Sequence, residues 1–356
     1  MTALKILGLD ESVTKAINES KLPEPLGFGT FRVPIMATAT YKDGAWSSID
    51  LGAYGPIALD PCAKVLHYGQ EIFEGMKCYK NAGELALFRP TMNHKRFNDS
   101  AKRLMMPEIP EELFMSAIAS VCHHAKPLVP SGDGESLYIR PFMVATQPGL
   151  GLAASMEHLF VVVASPSGAF FSPGKVNVLI EREACRAAKG GTGAAKCGGN
   201  YAASLQNLVW AKEKGYQQNL WLDAEKKQYI EELSGMNFFA VIDSELYTPS
   251  LTDSILPGIT RKSVIQLAQE MGYVVHEKPL AVDFVIESIQ NGHLTEMFAC
   301  GTAAVVSPVT ALGEADGTLY EAPNLYGPVS KKLRTALVEI QRGLAKDPYG
   351  WVVAVP

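Results

Sequence analysis

Cysteine is sparse and scattered in this 356-residue chain. The six, Cys62, Cys78, Cys122, Cys185, Cys197 and Cys300, are too thinly spread for a disulfide scaffold and include no Cys-x-x-Cys pair, so reduced and mostly buried thiols are expected. Cys197 stands apart only because it adjoins Lys196. Histidine is equally thin. Of seven, His123-His124 is the one adjacent pair, and neighbours on a helix point in different directions, so no metal site is expected. Long apolar runs are missing: stretches such as Leu159 to Ala164 are of strand length and far too short to span a bilayer. Positive charge is not in excess. The formal net charge is -5, and no basic run interleaved with aromatics offsets it, which argues against a nucleic-acid partner. The N-terminal stretch has no long apolar segment and no arginine before Arg32, so neither a secretory signal nor a transit peptide is expected and the cytoplasm is the anticipated compartment.

What is present is the composition of a globular protein, 47% hydrophobic and 19% charged, with enough chain for two domains. No internal repeat or low-complexity segment interrupts it. The turn-forming run from Pro166 to Gly174 marks the best boundary. It implies a smaller N-terminal domain over 1–167, a linker over 168–180 and a larger domain over 181–356. Periodicity predicts a helix over Asn93–Leu104, with Asn93 as its cap and Arg96 in its first turn. Strands are expected over Leu137–Ala145, Leu159–Ser165, Val176–Ile180 and Gln218–Leu222. A further helix is expected over Arg261–Met271, closed by Gly272. The mixture of strands and helices indicates an α/β chain of α+β two-domain type.

The most informative stretch runs from Gly190 to Tyr201, where Lys196 stands alone among glycine and alanine. Small neighbours let backbone approach a bound group and leave room for a flat ring beside the amine. An exposed loop lysine is the usual alternative, and Lys196 by itself does not decide between them. A phosphate-binding P-loop requires Gly-Lys followed by Ser or Thr, whereas Lys196 follows Ala195 and the one Gly-Lys pair, Gly174-Lys175, runs into Val176. The Gly191-Thr192-Gly193 spacing lacks the third glycine and the ribose-binding acid of a dinucleotide fingerprint. The remaining candidate is pyridoxal 5'-phosphate, whose aldehyde condenses with an amine and whose ring nitrogen needs a carboxylate, for which Glu232 is available. Leu256-Pro257-Gly258-Ile259-Thr260, leading into the second helix, offers a turn, a hydroxyl and amide donors suited to a phosphate. The turn Cys300-Gly301-Thr302-Ala303-Ala304 offers more of the same, though either turn alone could be purely structural.

Taken together these features resemble fold type IV of the pyridoxal-phosphate enzymes. The resemblance is carried by Glu232-x-Ser234-x-x-Asn237-Phe238-Phe239, Leu246-x-Thr248 and Leu256-x-Gly258-Ile259-x-Arg261. Within that class the chain is similar to the branched-chain amino acid aminotransferases from about Phe28 nearly to its C-terminus. The motifs are His67-Tyr68-Gly69-Gln70-Glu71-Ile72-Phe73-Glu74-Gly75-Met76-Lys77, Phe88-Arg89-Pro90, Tyr138-Ile139-Arg140-Pro141 and Gly301-Thr302-Ala303.

The resemblance implies a reversible, ping-pong transfer of the amino group between L-leucine, L-isoleucine or L-valine and 2-oxoglutarate. It implies that Lys196 holds the cofactor covalently and moves the substrate's α-proton, and that Glu232 pairs with the pyridine nitrogen while Glu231 is solvated. Tyr201 would hydrogen-bond the cofactor's phenolic oxygen, and Arg96, the amides of Ile259 and Thr260 and the Thr302 hydroxyl would hold the phosphate. Asn237 joins the cofactor-binding set. For substrate, Thr302 and Ala303 would take the α-carboxylate, Phe28, Tyr68, Phe73 and Phe170 an apolar side chain, and Tyr138 and Arg140 the distal carboxylate of glutamate. Tyr138, Arg140 and Leu150 are implied to belong to or approach a neighbouring subunit's site, and hence a homodimer is expected. Two positions depart from some relatives: Ala304 and Ser307 stand where a redox-sensing Cys-x-x-Cys can follow the Gly-Thr-Ala turn, and Phe170 stands where tyrosine can occur. A non-catalytic cofactor-binding protein would carry a degraded site, which the filled catalytic positions argue against, whereas a D-amino acid aminotransferase or an aminodeoxychorismate lyase would share Lys196 and Glu232. Those enzymes lack the Glu74-Gly75-Met76-Lys77 and Tyr138-Ile139-Arg140 context.

Overall fold

The structure is a computed structural model that describes residues 4–168, 176–324 and 326–356. Its contacts divide the chain into two compact units, one comprising 1–170, 195–198 and 339–356, the other 171–194 and 199–338.

In the first unit an antiparallel sheet runs in the order Ala45–Trp46, Ile35–Lys42, His158–Ser167, Ser136–Ala145, Met76–Asn81, Glu84–Phe88, Val352–Val355. Asp50–Ala53 pairs with Ile35–Lys42, and Glu71–Phe73 with Ser136–Ala145. The long central strands carry Val, Ile, Phe and Tyr, residues that fit a pleated surface, and their burial alternates along Ser136–Ala145 as a half-covered sheet requires. The helix Glu111–His124 buries a run from Phe114 to Cys122 and packs on the helix Pro90–Arg103 and on the sheet. Phe97, Phe114 and Phe160 meet at the centre, with ring centroids 5.5–5.8 Å apart.

The expected helix over Asn93–Leu104 starts earlier. Pro90 occupies its first turn, where a missing N–H costs nothing, and Arg89 takes the cap position, so Asn93 is interior and buried rather than capping. The expected split also placed Lys196 and the C-terminus in one later domain, but both 195–198 and 339–356 pack with the first unit. The reason is backbone hydrogen bonding: the N–H of Phe73 donates to the Lys196 carbonyl at 2.9 Å, and the N–H of Lys196 donates to the Ser100 hydroxyl at 2.9 Å. The Gly198 amide donates to the Glu71 carboxylate, and Val352–Val355 adds to the edge of Glu84–Phe88.

The second unit is built on a mixed sheet. Its main path is Val275–Glu277, Glu245–Thr248, Met236–Ile242, Tyr229–Leu233, Gln218–Leu222, Asn177–Glu181, Ala311–Gly313, Leu319–Glu321. Leu294–Gly301 lies beside Met236–Ile242 and pairs with Val305–Pro308. Every residue of Met236–Ile242 is buried, which explains why the strand, after Asn237, reads as the continuous apolar run Phe238-Phe239-Ala240-Val241-Ile242 rather than an alternation. The helix expected over Arg261–Met271 spans Ile259–Glu270, with Gly258 at its N-cap and Gly272, at φ +86°, turning the chain away beyond its end. Among the described residues, no helix is long and apolar enough to cross a membrane.

His158 is 1% exposed in the first unit, and neither ring nitrogen has a hydrogen-bond partner among the described residues. Burial pushes its pKa down to about 4 from 6.5. The folded state therefore binds the proton less readily than the unfolded chain, and stability is lost as pH falls through 6.5 toward 4, by about 3 kcal/mol in total. In denaturant titrations, moving from about pH 7.5 to about pH 5 should cost about 2 kcal/mol through this residue. His158→Phe should remove that component; an unchanged pH dependence in the variant would exclude His158 as its source.

Candidate active site

Lys196 is half-buried, and its amine lies 4.6 Å from the centroid of the Phe73 ring. The Arg140 guanidinium lies 4.7 Å from the same centroid and donates to the Tyr138 hydroxyl at 3.1 Å. Tyr138 in turn meets Phe28 edge-on at 5.0 Å. Lys196, Phe73, Arg140, Tyr138 and Phe28 thus form one connected group within the first unit. Of the two residues that the resemblance associates with a neighbouring subunit's site, Arg140 lies here against Phe73 of its own chain and Tyr138 against Phe28 and Arg140. Residue 75 has to be glycine for this arrangement, because a Cβ there would overlap the Tyr138 hydroxyl. Tyr68 and Leu150 are exposed and joined to each other, the Tyr68 hydroxyl donating to the Leu150 carbonyl. Phe170 lies outside the described residues.

A buried ion pair adjoins this group at Gly75. Arg96 grips Glu74 through Nε to Oε1 at 2.6 Å and Nη2 to Oε2 at 2.9 Å, while the Asn93 amide and the Gly75 N–H donate to Oε2 at 2.7 and 3.0 Å. Burial raises the Glu74 proton affinity, but Arg96 beside it, with Lys196 and Asn93, outweighs burial and holds the carboxyl below its ordinary value. Glu74 is therefore an ionised carboxylate gripped from both oxygens, and it fixes Arg96 on its helix.

In the second unit the hairpin of Tyr229–Leu233 and Met236–Ile242 places Glu232 directly opposite Asn237. Glu232 is 4% exposed; Oε1 takes the Arg186 Nη2 at 2.7 Å and Oε2 takes the Asn237 amide at 3.2 Å. Arg186 Nη2 also donates to the carbonyls of Ser254 at 2.6 Å and Gly193 at 3.0 Å. Gly193 passes so close to the Ser254 backbone that any Cβ would collide with it, which gives one physical reason for the glycine-rich run. Glu231, expected to be solvated, is 6% exposed: the 249–255 segment covers that face of the strand, and the Ser254 hydroxyl donates to Glu231 Oε1.

Asn237 also donates to the Leu256 carbonyl at 3.1 Å, and Gly258 avoids the overlap with Asn237 Oδ1 that a Cβ would cause. This draws the start of the Ile259–Glu270 helix toward the Glu232 hairpin. Among the described residues no side chain caps that helix, and the amides of Ile259 and Thr260 at its start are placed as anion donors. Arg261 anchors its first turn to the Pro249 carbonyl and to Glu277, each at 2.8 Å. Thr302 and Ala303 form the turn between Leu294–Gly301 and Val305–Pro308 and are half-buried. Val305, at φ +61°, closes it in a left-handed conformation costly for a β-branched residue. Tyr201 is half-buried on the short helix Gly198–Ala202.

Sequence reasoning does not reach Arg186, Ser254 or the role of Glu74 toward Arg96. Glu74 stands in a recognised motif, but its partner is 22 residues away. Arg186 precedes the glycine-rich run with two small neutral residues on either side, a signal without an address until Glu232 is placed beside it.

Residues 71–312 match the family described as Amino-transferase class IV. A branched-chain-amino-acid aminotransferase from Mycolicibacterium smegmatis is 46% identical over 348 residues, covering 95% of this chain and 94% of that protein. The crystal structure of the Escherichia coli branched-chain amino acid aminotransferase superposes with a TM-score of 0.74 at 30% identity, covering 90% of this chain and 100% of that one. The branched-chain aminotransferase of the thermophilic archaeon Thermoproteus uzoniensis, solved with norvaline, also gives a TM-score of 0.74, at 26% identity, covering 90% of this chain and 100% of that one. The chain is a transaminase that belongs to the class IV aminotransferases, within the family of the branched-chain-amino-acid aminotransferases.

Breaking the buried pair from one side leaves Arg96 uncompensated. Glu74→Ala should lower unfolding stability by about 3–5 kcal/mol. A loss below about 1 kcal/mol in denaturant titration would mean that Glu74 does not hold Arg96 in place.

Proposed function

We propose that this chain transfers the amino group reversibly between L-leucine, L-isoleucine or L-valine and 2-oxoglutarate, using pyridoxal 5'-phosphate, in a ping-pong cycle. The donor set fits that group: an amine on Lys196 among small residues, a buried carboxylate on Glu232 held by Arg186 and Asn237, and uncapped amides at Ile259 and Thr260. The observation that carries the reading is the buried ion pair of Glu232 with Arg186 at 2.7 Å. A guanidinium beside a carboxylate favours its charged form, and a charged carboxylate is what keeps a pyridine nitrogen protonated. When bound, the cofactor supplies an aldehyde that receives the amino group and a ring that takes up the electron pair left on the substrate's α-carbon.

The chain's own residues do the rest. Lys196 holds the group through its amine and, once displaced by substrate, carries the proton from the α-carbon. Glu232, with Asn237 beside it, holds the proton at the ring nitrogen, and Tyr201 donates to the phenolic oxygen. Arg96, the amides of Ile259 and Thr260 and the Thr302 hydroxyl bind the phosphate. Thr302 and Ala303 take the substrate carboxylate. Phe28, Tyr68, Phe73 and Phe170 receive an aliphatic side chain, and Tyr138 with Arg140 receives the second carboxylate of glutamate. The Arg140–Tyr138 hydrogen bond and the Arg140–Phe73 stacking support that division, since a guanidinium on an aromatic face serves an apolar wall and an anion at once.

We further infer a homodimer working in the cytoplasm. Leu66, Leu150, Leu152 and Met156 are between 58% and 84% exposed in the first unit, a concentration of apolar surface that supports association with a second copy.

The purified protein should show a visible cofactor band, and L-leucine without any keto acid should convert it in a single half-reaction. A band that L-leucine leaves unchanged would overturn the substrate assignment, and absence of a band after cofactor addition would overturn the cofactor. Lys196→Ala should fold yet complete no multiple turnover. Glu232→Gln should slow the half-reaction by roughly 100-fold or more with less effect on apparent substrate affinity; an effect on affinity alone would contradict its role at the ring nitrogen.

A further inference from the structure

Lys196 reacts through its amine, but its backbone decides where that amine can reach. The strand Glu71–Phe73 pairs with Ser136–Ala145 along one edge, and residues 196–198 lie along the other, running in the opposite direction. One backbone rung joins them, the Phe73 N–H donating to the Lys196 carbonyl at 2.9 Å. At the next rung the acceptor is a side chain: Glu71 Oε1 receives the Gly198 N–H. A Cβ at residue 198 would overlap that oxygen, so the carboxylate lies directly against the Gly198 backbone. The Ser100 hydroxyl, itself buried, receives the Lys196 N–H at 2.9 Å from the opposite direction along the chain. Ala195 and Cys197 are buried in the first unit's core while Lys196 between them is half-buried. The segment therefore alternates as a strand does, and the lysine side chain is turned to the Phe73 ring.

We propose that Glu71 is a positioning residue for Lys196: by accepting the Gly198 amide it fixes the backbone from which the reactive amine is presented. Its effect on turnover rests on the aminotransferase reading, whereas its hold on residues 196–198 does not. A half-buried carboxylate is a costly acceptor, and burial pushes the Glu71 carboxyl above its ordinary value in spite of the Gly198 amide and the Arg140 charge. The hydrogen bond it makes is of the charge-assisted kind, stronger than a carbonyl would give, and it falls two residues from the amine that must reach the α-carbon. A displacement of about 1 Å at a reacting group costs on the order of 100-fold in rate, while the substrate is bound by other residues. Loss of this hold therefore belongs in kcat rather than in KM.

Amide exchange on the cofactor-free protein tests the hold itself. Glu71→Ala should speed exchange over residues 197–199 by about 10-fold or more and leave the strand Ser136–Ala145 unchanged. With the cofactor bound, kcat for L-leucine should fall about 10-fold while KM changes less than about 2-fold. Glu71→Gln keeps an oxygen that accepts the Gly198 N–H and should return both exchange and kcat to within about 3-fold of wild type. Gly198→Ala, whose methyl group displaces the carboxylate, should reproduce the defect of Glu71→Ala, and the two together should be no worse than either alone. Unchanged exchange over 197–199 in both single variants, a loss in KM rather than kcat, or additive losses in the double variant would overturn the proposal. Should Glu71→Ala fail to fold, wild-type exchange and kcat in Gly198→Ala would do so. Faster exchange in the variants of a protein that takes up no cofactor would leave the hold of Glu71 standing and overturn the activity reading instead.

Discussion

A single guanidinium nitrogen organises the second unit's share of the chemistry. Arg186 Nη2 contacts the carboxylate of Glu232 and the carbonyls of Gly193 and Ser254. These belong to three separate stretches of the chain: the glycine-rich run, the acid-bearing hairpin and the segment before the Ile259–Glu270 helix. All three are held because a buried cation needs several acceptors and a buried carboxylate needs a cation. Gly193 then has to be a glycine, since the clamp brings its Cα against the Ser254 backbone. Asn237 extends the same logic, tying Glu232 to the Leu256 carbonyl and so to the start of the helix whose amides can receive an anion.

The first unit solves a parallel problem with the signs reversed. There the fixed group is a carboxylate, Glu74, and the group held by it is Arg96. Gly75 links the ion pair to the Phe73, Arg140, Tyr138 and Phe28 cluster, its N–H donating to Glu74 and its missing Cβ leaving room for the Tyr138 hydroxyl. Lys196 reaches this cluster through its backbone, pinned between Phe73 and Ser100, rather than through its place in the chain. Its side chain is thereby presented beside an aromatic ring on a rigid support, which an exposed loop lysine would lack.

Much of this is legible in the residues alone, and what is not shares a cause. The strands Ser136–Ala145, His158–Ser167 and Gln218–Leu222 and the helix Ile259–Glu270 follow from local patterns of apolar residues, turns and a closing glycine, which depend on neighbours a few residues away. Asn93 reads as a cap because a cap and a buried hydrogen-bonding asparagine look alike without Glu74 beside it. Glu231, which the resemblance implies to be solvated, is buried because the strand Tyr229–Leu233 is covered on both faces, the 249–255 segment lying over one of them.

The sequence by itself determined the family, the identity of Lys196 and Glu232 as the residues to examine, and the kind of secondary structure around them. These are properties of residue type and short spacing. Tertiary structure alone decided which unit Lys196 belongs to, that Arg186 is a partner of Glu232 and Glu74 one of Arg96, and that Glu231 is buried. Each of those pairings joins polar groups removed from water. Burial makes the pairing obligatory, but the chain's path in space, rather than its order, selects the partner.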